Sequence, residues 1–285
     1  MAKPWKPELT NASRPATFEV EAYNERGEMV PTSIAGEHPL TLYLDKREIV
    51  TLMTLGHAPE ALALGYLRNQ RLVKSIRDIA AVQVDWETDS VVVTTRGTPK
   101  VDVKAKMKKR TVTTGCGQGT VFGGLMDEID KVKLDGKAEL TDAQIVDLVD
   151  KVRKHETIYK QAGAVHGCAL ARTDGPAAAE IMMFVEDVGR HNAVDAIAGF
   201  MWLEGISGAD KIFYTTGRLT SEMVIKCAQM GIPFLVSRSG LTQMGYSIAR
   251  KVGITMLGRA SGKHYLVFTG RQRLRGVLPQ ATAYA

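Results

Sequence analysis

Cysteine is scarce in this chain: Cys116, Cys168 and Cys227 are the only three among 285 residues. Three is too few, and odd in number, for a disulfide framework, so the expected compartment is a reducing one. There a lone thiol is either core filler or a reagent. No Cys-x-x-Cys pair occurs, and three thiols on three separate segments make a poor structural zinc set. Long apolar runs are missing too. No stretch approaches the ~18 residues needed to cross a bilayer, and Met1-Ala2-Lys3-Pro4-Trp5-Lys6-Pro7 lacks the apolar core of a signal peptide. The expectation is a cytoplasmic protein with no membrane partner. Neither a Walker A loop nor a Gly-x-Gly-x-x-Gly fingerprint is present, which argues against a nucleoside triphosphatase or a dinucleotide oxidoreductase.

What is present is ordinary globular composition, 45% hydrophobic and 24% charged, with a net charge of +6. The charge is uneven, since Lys104, Lys106, Lys108, Lys109 and Arg110 fall within seven residues. No aromatic cluster or nucleic-acid motif accompanies that run, so nucleic acid is not the expected partner.

The chain divides into four stretches by pattern. Residues 1–15 read as a flexible arm. Residues 16–97 read as a β-rich subdomain: Phe18-Val20-Ala22, Leu40-Leu42-Leu44 and Ile49-Thr51-Met53 alternate with period two. Pro59 opens a helix bearing Ala61, Leu62, Leu64 and Leu67. Glu87-Thr88-Asp89-Ser90 marks a hairpin between Val82-Val84-Trp86 and Val91-Val93. Residues 98–140 hold the basic run and then five glycines among residues 115–124, a composition too free in backbone for a regular element; this reads as a mobile loop. Residues 141–285 alternate helix and strand, which predicts a three-layer α/β/α sheet. Expected there are a helix capped at Thr141-Asp142, a second helix starting near His166, strand 179–185, helix 192–203, strand 211–215, helix 220–229, strand 233–236, helix 242–251 and strands near 253–257 and 265–269.

Four places carry candidate chemistry. Glu186-Asp187-Val188-Gly189-Arg190-His191-Asn192-Ala193-Val194-Asp195 puts three carboxylates, an arginine, a histidine and an asparagine where a strand hands over to a helix, the end of an α/β sheet that binds ligands. The bland alternative is a salt-bridged turn capped by Asn192 or Asp187. Thr215-Thr216-Gly217-Arg218-Leu219-Thr220-Ser221-Glu222 and Ser237-Arg238-Ser239-Gly240-Leu241-Thr242 each join a strand to a helix N-terminus through glycine, arginine and hydroxyls, an arrangement suited to phosphate. Cys116, glycine-flanked and downstream of five cations, is placed for thiolate chemistry. Cys168 and Cys227 read as core filler. His166-Gly167-Cys168 mimics the His-x-Glu of zinc deaminases but lacks the glutamate and the paired cysteines.

Taken together, Thr113-Thr114-Gly115-Cys116-Gly117, Gly163-Ala164-Val165-His166, the block 186–195, Gly217-Arg218-Leu219-Thr220-Ser221-Glu222-Met223-Val224 and Gly231-Ile232-Pro233-Phe234-Leu235-Val236-Ser237-Arg238-Ser239 resemble the signatures of the formate dehydrogenase accessory sulfurtransferases of FdhD type, from about residue 40 to residue 270. The resemblance implies a cytidine-deaminase-like larger domain without the zinc site. It implies a relay in which a cysteine desulfurase gives sulfur to Cys116 as a persulfide. That sulfur then passes to the bis-molybdopterin guanine dinucleotide molybdenum cofactor, bound as substrate and mimicked by GDP, before formate dehydrogenase receives it. It also implies a homodimer. Arg190, His191, Gly217, Arg218, Ser237, Arg238 and Ser239 would line the cofactor site, and the family's guanine contact falls by position on Tyr265-Leu266-Val267-Phe268-Thr269-Gly270. One departure stands out: the family loop usually reads Cys-x-x-Cys, and Gly119 occupies the second position. A non-catalytic chaperone for the same cofactor is therefore the alternative reading.

Overall fold

Alternating residues in the N-terminal half become a five-stranded mixed sheet, and the helix–strand alternation further on becomes a six-stranded one. The computed structural model describes residues 5–97, 129, 132, 134, 137–155 and 157–276. The described residues form two compact units. The first draws on Met1–Asp127, Glu156–Cys168 and Val185–Ile206, the second on Glu128–His155, Ala169–Phe184 and Ser207–Ala285. The units are thus interleaved along the chain, whereas the sequence pattern divides it into contiguous stretches.

In the first unit, β1 (Glu8–Leu9), β6 (Ile79–Asp85), β7 (Ser90–Thr95), β4 (His38–Leu44) and β5 (Arg47–Thr54) lie in that order. The hairpin at 87–89 is as expected, with β6 and β7 antiparallel. Leu40, Leu42 and Leu44 point inward as their period requires. β5 departs from the expected register. Ile49, Leu52 and Thr54 are buried while Met53 is 41% exposed, because a bulge shifts the pairing between Leu42 and Tyr43 and re-aims the strand after Ile49. β2 (Thr17–Tyr23) and β3 (Met29–Ala35) form a separate antiparallel ribbon.

Helix α1 (Pro59–Asn69) is buried almost all round, not on one side only. Its partner is α4 (Arg190–Leu203), and the two backbones meet at glycines. A Cβ at Gly65 would collide with the Asp195 carbonyl, and one at Gly199 with the Ala61 carbonyl. Glycine costs each helix about 1 kcal/mol of intrinsic propensity, and the close crossing it permits offsets that cost. This contact is what brings 185–206 into the first unit. The short α3 (Ile158–Ala162) ends at Gly163, whose φ is 65°.

The six-stranded sheet is ordered β10 (Ala178–Asp187), β9 (His166–Asp174), β11 (Lys211–Thr215), β12 (Phe234–Ser237), β13 (Thr255–Ser261), β14 (His264–Thr269); β11 to β14 belong wholly to the second unit, whereas 166–168 of β9 and 185–187 of β10 are counted with the first. β11, β12 and β13 run parallel, and β14 is antiparallel to β13. α5 (Ser221–Gln229) and α6 (Gln243–Val252) are the crossovers, so the α/β class is the observed one. β11 and β12 are buried at every position, as strands of a covered parallel sheet are. α2 (Asp142–His155) starts with a capping box: the Gln144 amide donates to the Thr141 hydroxyl (3.2 Å), and the Thr141 amide to Gln144 Oε1 (2.8 Å). Its Ile145, Leu148, Val149 and Val152 share a core with Ile212, Tyr214, Phe234 and Val236. The expected helix near His166 is absent; that segment is strand β9, with Cys168 fully buried. Short apolar runs are ambiguous between helix and strand, and the turn at Gly163 and Ala164, both at positive φ, resets the chain to an extended conformation. Cys227, beside Met223 and Val224, is fully buried in α5 as expected.

Candidate functional site

The block 186–195 lies at the end of β10 and the start of α4, within the first unit, and its carboxylates are occupied. Glu186 accepts from the Thr157 amide (3.1 Å) and hydroxyl (3.1 Å), the Ile158 amide (3.0 Å) and the Tyr159 amide (3.0 Å), capping α3. Asp187, 5% exposed, accepts from the Thr54 hydroxyl (2.5 Å), the Leu55 amide (3.2 Å), the Gly189 amide (3.0 Å) and Asn192 Nδ2 (2.8 Å). Burial pushes the Asp187 carboxyl above its ordinary value, although those four bonds pull the other way. Asn192 Nδ2 also donates to the Met53 carbonyl (2.6 Å), and Asn69 Nδ2 donates to Asp195 (2.7 Å). These side chains fasten β5, α1, α3 and α4 to one another. Arg190, buried, and His191, half-buried, stand on the first turn of α4.

In the second unit, two polar turns leave the carboxyl ends of the adjacent parallel strands β11 and β12, where Thr215 pairs with Ser237. The Ser237 hydroxyl donates to the Gly217 carbonyl (2.7 Å) and accepts from the Ser239 amide (2.9 Å). The Arg238 amide donates to the Thr215 carbonyl (3.1 Å), and the Leu219 amide to the Gly240 carbonyl (3.0 Å). Gly217, Arg218, Ser237, Arg238 and Ser239 are therefore neighbours. Ser237 is fully buried and serves the turn, while Arg218 is exposed.

Residues 265–270 divide. The Tyr265 hydroxyl donates to Asp142 (2.7 Å), and burial followed by that carboxylate drives the phenol well above its ordinary range. Leu266 is 47% exposed. Val267, Phe268, Thr269 and Gly270 line a cavity of about 360 Å³, with Tyr246 and Arg250 of α6 and Arg271 and Gln272 beyond the strand. Among the described residues no carboxylate lines it, and two arginines do. Gly270 makes its floor: φ is 70°, and a Cβ there would collide with Thr255. The Thr269 hydroxyl donates to the Ile254 carbonyl (2.6 Å), so it holds the wall. A concave, cationic, partly aromatic cavity of this size suits a planar ligand bearing phosphate.

The cavity and the two polar turns occupy opposite ends of the sheet. At one end the Thr255 amide meets the Pro233 carbonyl (2.8 Å); at the other the Arg259 amide meets the Ser239 carbonyl (2.9 Å). Those bonds lie four positions apart along β13, about 13 Å of strand. The single lining expected from sequence is thus two separate surfaces.

The model of the FdhD/NarQ family matches residues 35–275. The chain belongs to the FdhD/NarQ family. Among its relatives, a Listeria monocytogenes protein (strain EGD-e) named sulfur carrier protein FdhD is 31% identical over 259 residues, covering 90% of this chain and 95% of the relative. A Bacillus subtilis (strain 168) protein of the same name is 27% identical over 253 residues, covering 88% and 94%. A crystal structure described as a candidate formate dehydrogenase accessory protein from Desulfotalea psychrophila superposes with a TM-score of 0.70 at 26% identity, covering 91% of this chain and all of that one.

Within the family frame, Cys116, Gly119 and the run Lys104–Arg110 lie outside the described residues. Tyr246, Ala249, Arg250, Gly253, Ile254, Arg271 and Gln272 are the lining residues that sequence reading did not single out. Tyr246 and Arg250 are four apart on one helix, the guanidinium 5.8 Å from the ring centroid, but that spacing is ordinary in any helix and signals nothing alone. Among the described residues no helix is long and apolar enough to cross a membrane.

Proposed function

We propose that the chain is a cytoplasmic sulfur carrier serving formate dehydrogenase, working as a homodimer with a cysteine desulfurase as sulfur donor. The Cys116 thiolate attacks the terminal sulfur of the desulfurase persulfide. A new Cys116 persulfide forms and the desulfurase thiolate leaves. The terminal sulfur then passes to the bis-molybdopterin guanine dinucleotide molybdenum cofactor, which is bound as substrate; the Cys116 S–S bond breaks, the Cys116 thiolate leaves, and a two-electron reductant brings the transferred sulfur to the sulfide level. The carrying observation is that Cys116, between two glycines and after five cations, falls inside the family match. The cavity at Val267–Gly270, with two arginines and no carboxylate among its described lining residues, supports a guanine nucleotide end at that place, with Arg250 and Arg271 as phosphate partners. The polar turns carrying Arg218 and Arg238 are assigned to another anionic part of the same large ligand.

The test is mass spectrometry of the protein after incubation with a desulfurase and cysteine. The expected result is one added sulfur on Cys116, absent from Cys116→Ala. That variant should also fail to support formate dehydrogenase activity in cells lacking the native accessory protein. Full support by Cys116→Ala would replace the carrier with a cofactor-binding chaperone, the reading that Gly119 in the second cysteine position favours.

A further inference from the structure

Sulfur passes between thiols only where the two sulfurs can meet. Cys168 lies on β9, an interior strand between β10 and β11, and is 0% exposed. Ala169, Leu170 and Ala171, which follow it, are buried as completely. Cys227 is also 0% exposed, on a stretch of α5 where Met223, Val224 and Ala228 are buried too. Both are thiols rather than halves of a disulfide. Exchange requires access for the attacking thiolate, and core strands and helices are the last elements of a fold to open. The third and last cysteine is Cys116. The relay therefore has one usable sulfur in this chain.

That limit fixes where the electrons come from. With a second accessible thiol, a chain could release its cargo as sulfide by itself. The second thiolate would attack the inner sulfur of the persulfide, close an internal disulfide and expel hydrosulfide, so that two thiols are oxidised and the outer sulfur is reduced. Cys168 and Cys227 are closed to that step, so the sulfur on Cys116 stays zero-valent until another molecule brings two electrons. We propose that the reductant of the transfer is a separate dithiol, and that no thiol of this chain is oxidised to a disulfide in the cycle. Acting on the persulfide alone, one thiolate of the dithiol attacks the outer sulfur, the sulfur–sulfur bond breaks and the Cys116 thiolate leaves. The second thiolate then attacks the persulfidated sulfur of its own molecule, closing a ring disulfide and expelling hydrosulfide. The persulfide and one dithiol become the Cys116 thiol, one disulfide and one hydrogen sulfide. A single monothiol only moves the zero-valent sulfur to a new carrier, whereas a dithiol holds its second sulfur already in place. The inference rests on the carrier reading above and adds the class of reaction that must follow it.

The experiment loads the full chain with a desulfurase and cysteine, removes the desulfurase, and follows sulfide release and intact mass with and without dithiothreitol. Without it the added sulfur should stay, with sulfide released at least about tenfold more slowly than in its presence. With it one sulfide should appear per persulfide, and the chain should return to its unmodified mass. Iodoacetamide on the native, reduced chain should mark Cys116 and spare Cys168 and Cys227. Given to formate dehydrogenase that lacks this sulfur, the loaded chain should restore activity only when dithiothreitol is present. No added sulfur on Cys116 would overturn the carrier reading and this inference with it. Sulfur that loads and then leaves as sulfide without dithiothreitol would overturn the inference alone, with peptide masses showing a disulfide to Cys168, to Cys227 or between two copies. So would labelling of Cys168 or Cys227 in the native chain, or activity restored with no dithiol.

Discussion

Two regions of this molecule place their polar side chains in opposite settings. In the block 186–195, Glu186, Asp187, Asn192 and Asp195 are bonded to backbone and side-chain partners, so their chemistry is spent on joining elements of the first unit. The cavity in the second unit is poorer in polar residues, yet Arg250, Arg271 and Gln272 sit around an open concavity. A dense polar motif is therefore no measure of a site. A buried polar group must find a partner wherever it lies, whereas a binding group must be left with space in front of it.

The largest effect expected in testing this contrast is on stability. Asp187→Ala leaves the donors of Thr54, Leu55, Gly189 and Asn192 without their acceptor. At ~1–3 kcal/mol per unsatisfied buried group, partly relieved by water, the loss should be on the order of 3 kcal/mol or more. Urea denaturation measures it, and a loss under about 1 kcal/mol would mean that the carboxylate is not the fastener described. Gly270→Ala comes next. Positive φ and the clash with Thr255 should cost on the order of 1–3 kcal/mol and remove most GDP affinity, because the substituted residue is the cavity floor. Calorimetry with GDP and a melting curve on the same sample separate the two consequences.

Smaller effects sharpen the distinction. Arg250→Ala should weaken GDP about tenfold or more while leaving stability within ~0.5 kcal/mol, since the side chain is exposed. Arg218→Ala should weaken GDP less than Arg250→Ala, because Arg218 lies at the other end of the sheet. Equal losses from both would show that one nucleotide spans the two surfaces. The smallest effect concerns pH. The Asp187 carboxyl is raised above its ordinary value in the folded chain, so the folded state binds this proton more tightly than the unfolded state does. Its contribution to stability must then fall as pH rises from about 4, the unfolded value, through the higher folded value. Asp187→Asn should lack that slope. Denaturation midpoints of the two proteins, compared from about pH 4 to about pH 7, reveal the difference; parallel curves would contradict the raised carboxyl.

Local chemistry alone determined much of this protein. The Thr141–Gln144 cap, the hairpin at 87–89, the strand–helix alternation from 211 to 252 and the core role of Cys227 are settled within a few residues, by period, capping and turn composition. The family signatures were legible for the same reason, being contiguous. Tertiary structure decided the rest. A bulge re-aimed β5, and the turn at Gly163 and Ala164 made 166–174 a strand. Gly65 and Gly199 drew α1 and α4 together across 134 residues of sequence. Only the parallel register of β11, β12 and β13 put the polar turns at one end of the sheet and Gly270 at the other. Sequence fixes which groups are available, but enclosure and distance arise only when segments remote in the chain are packed against one another.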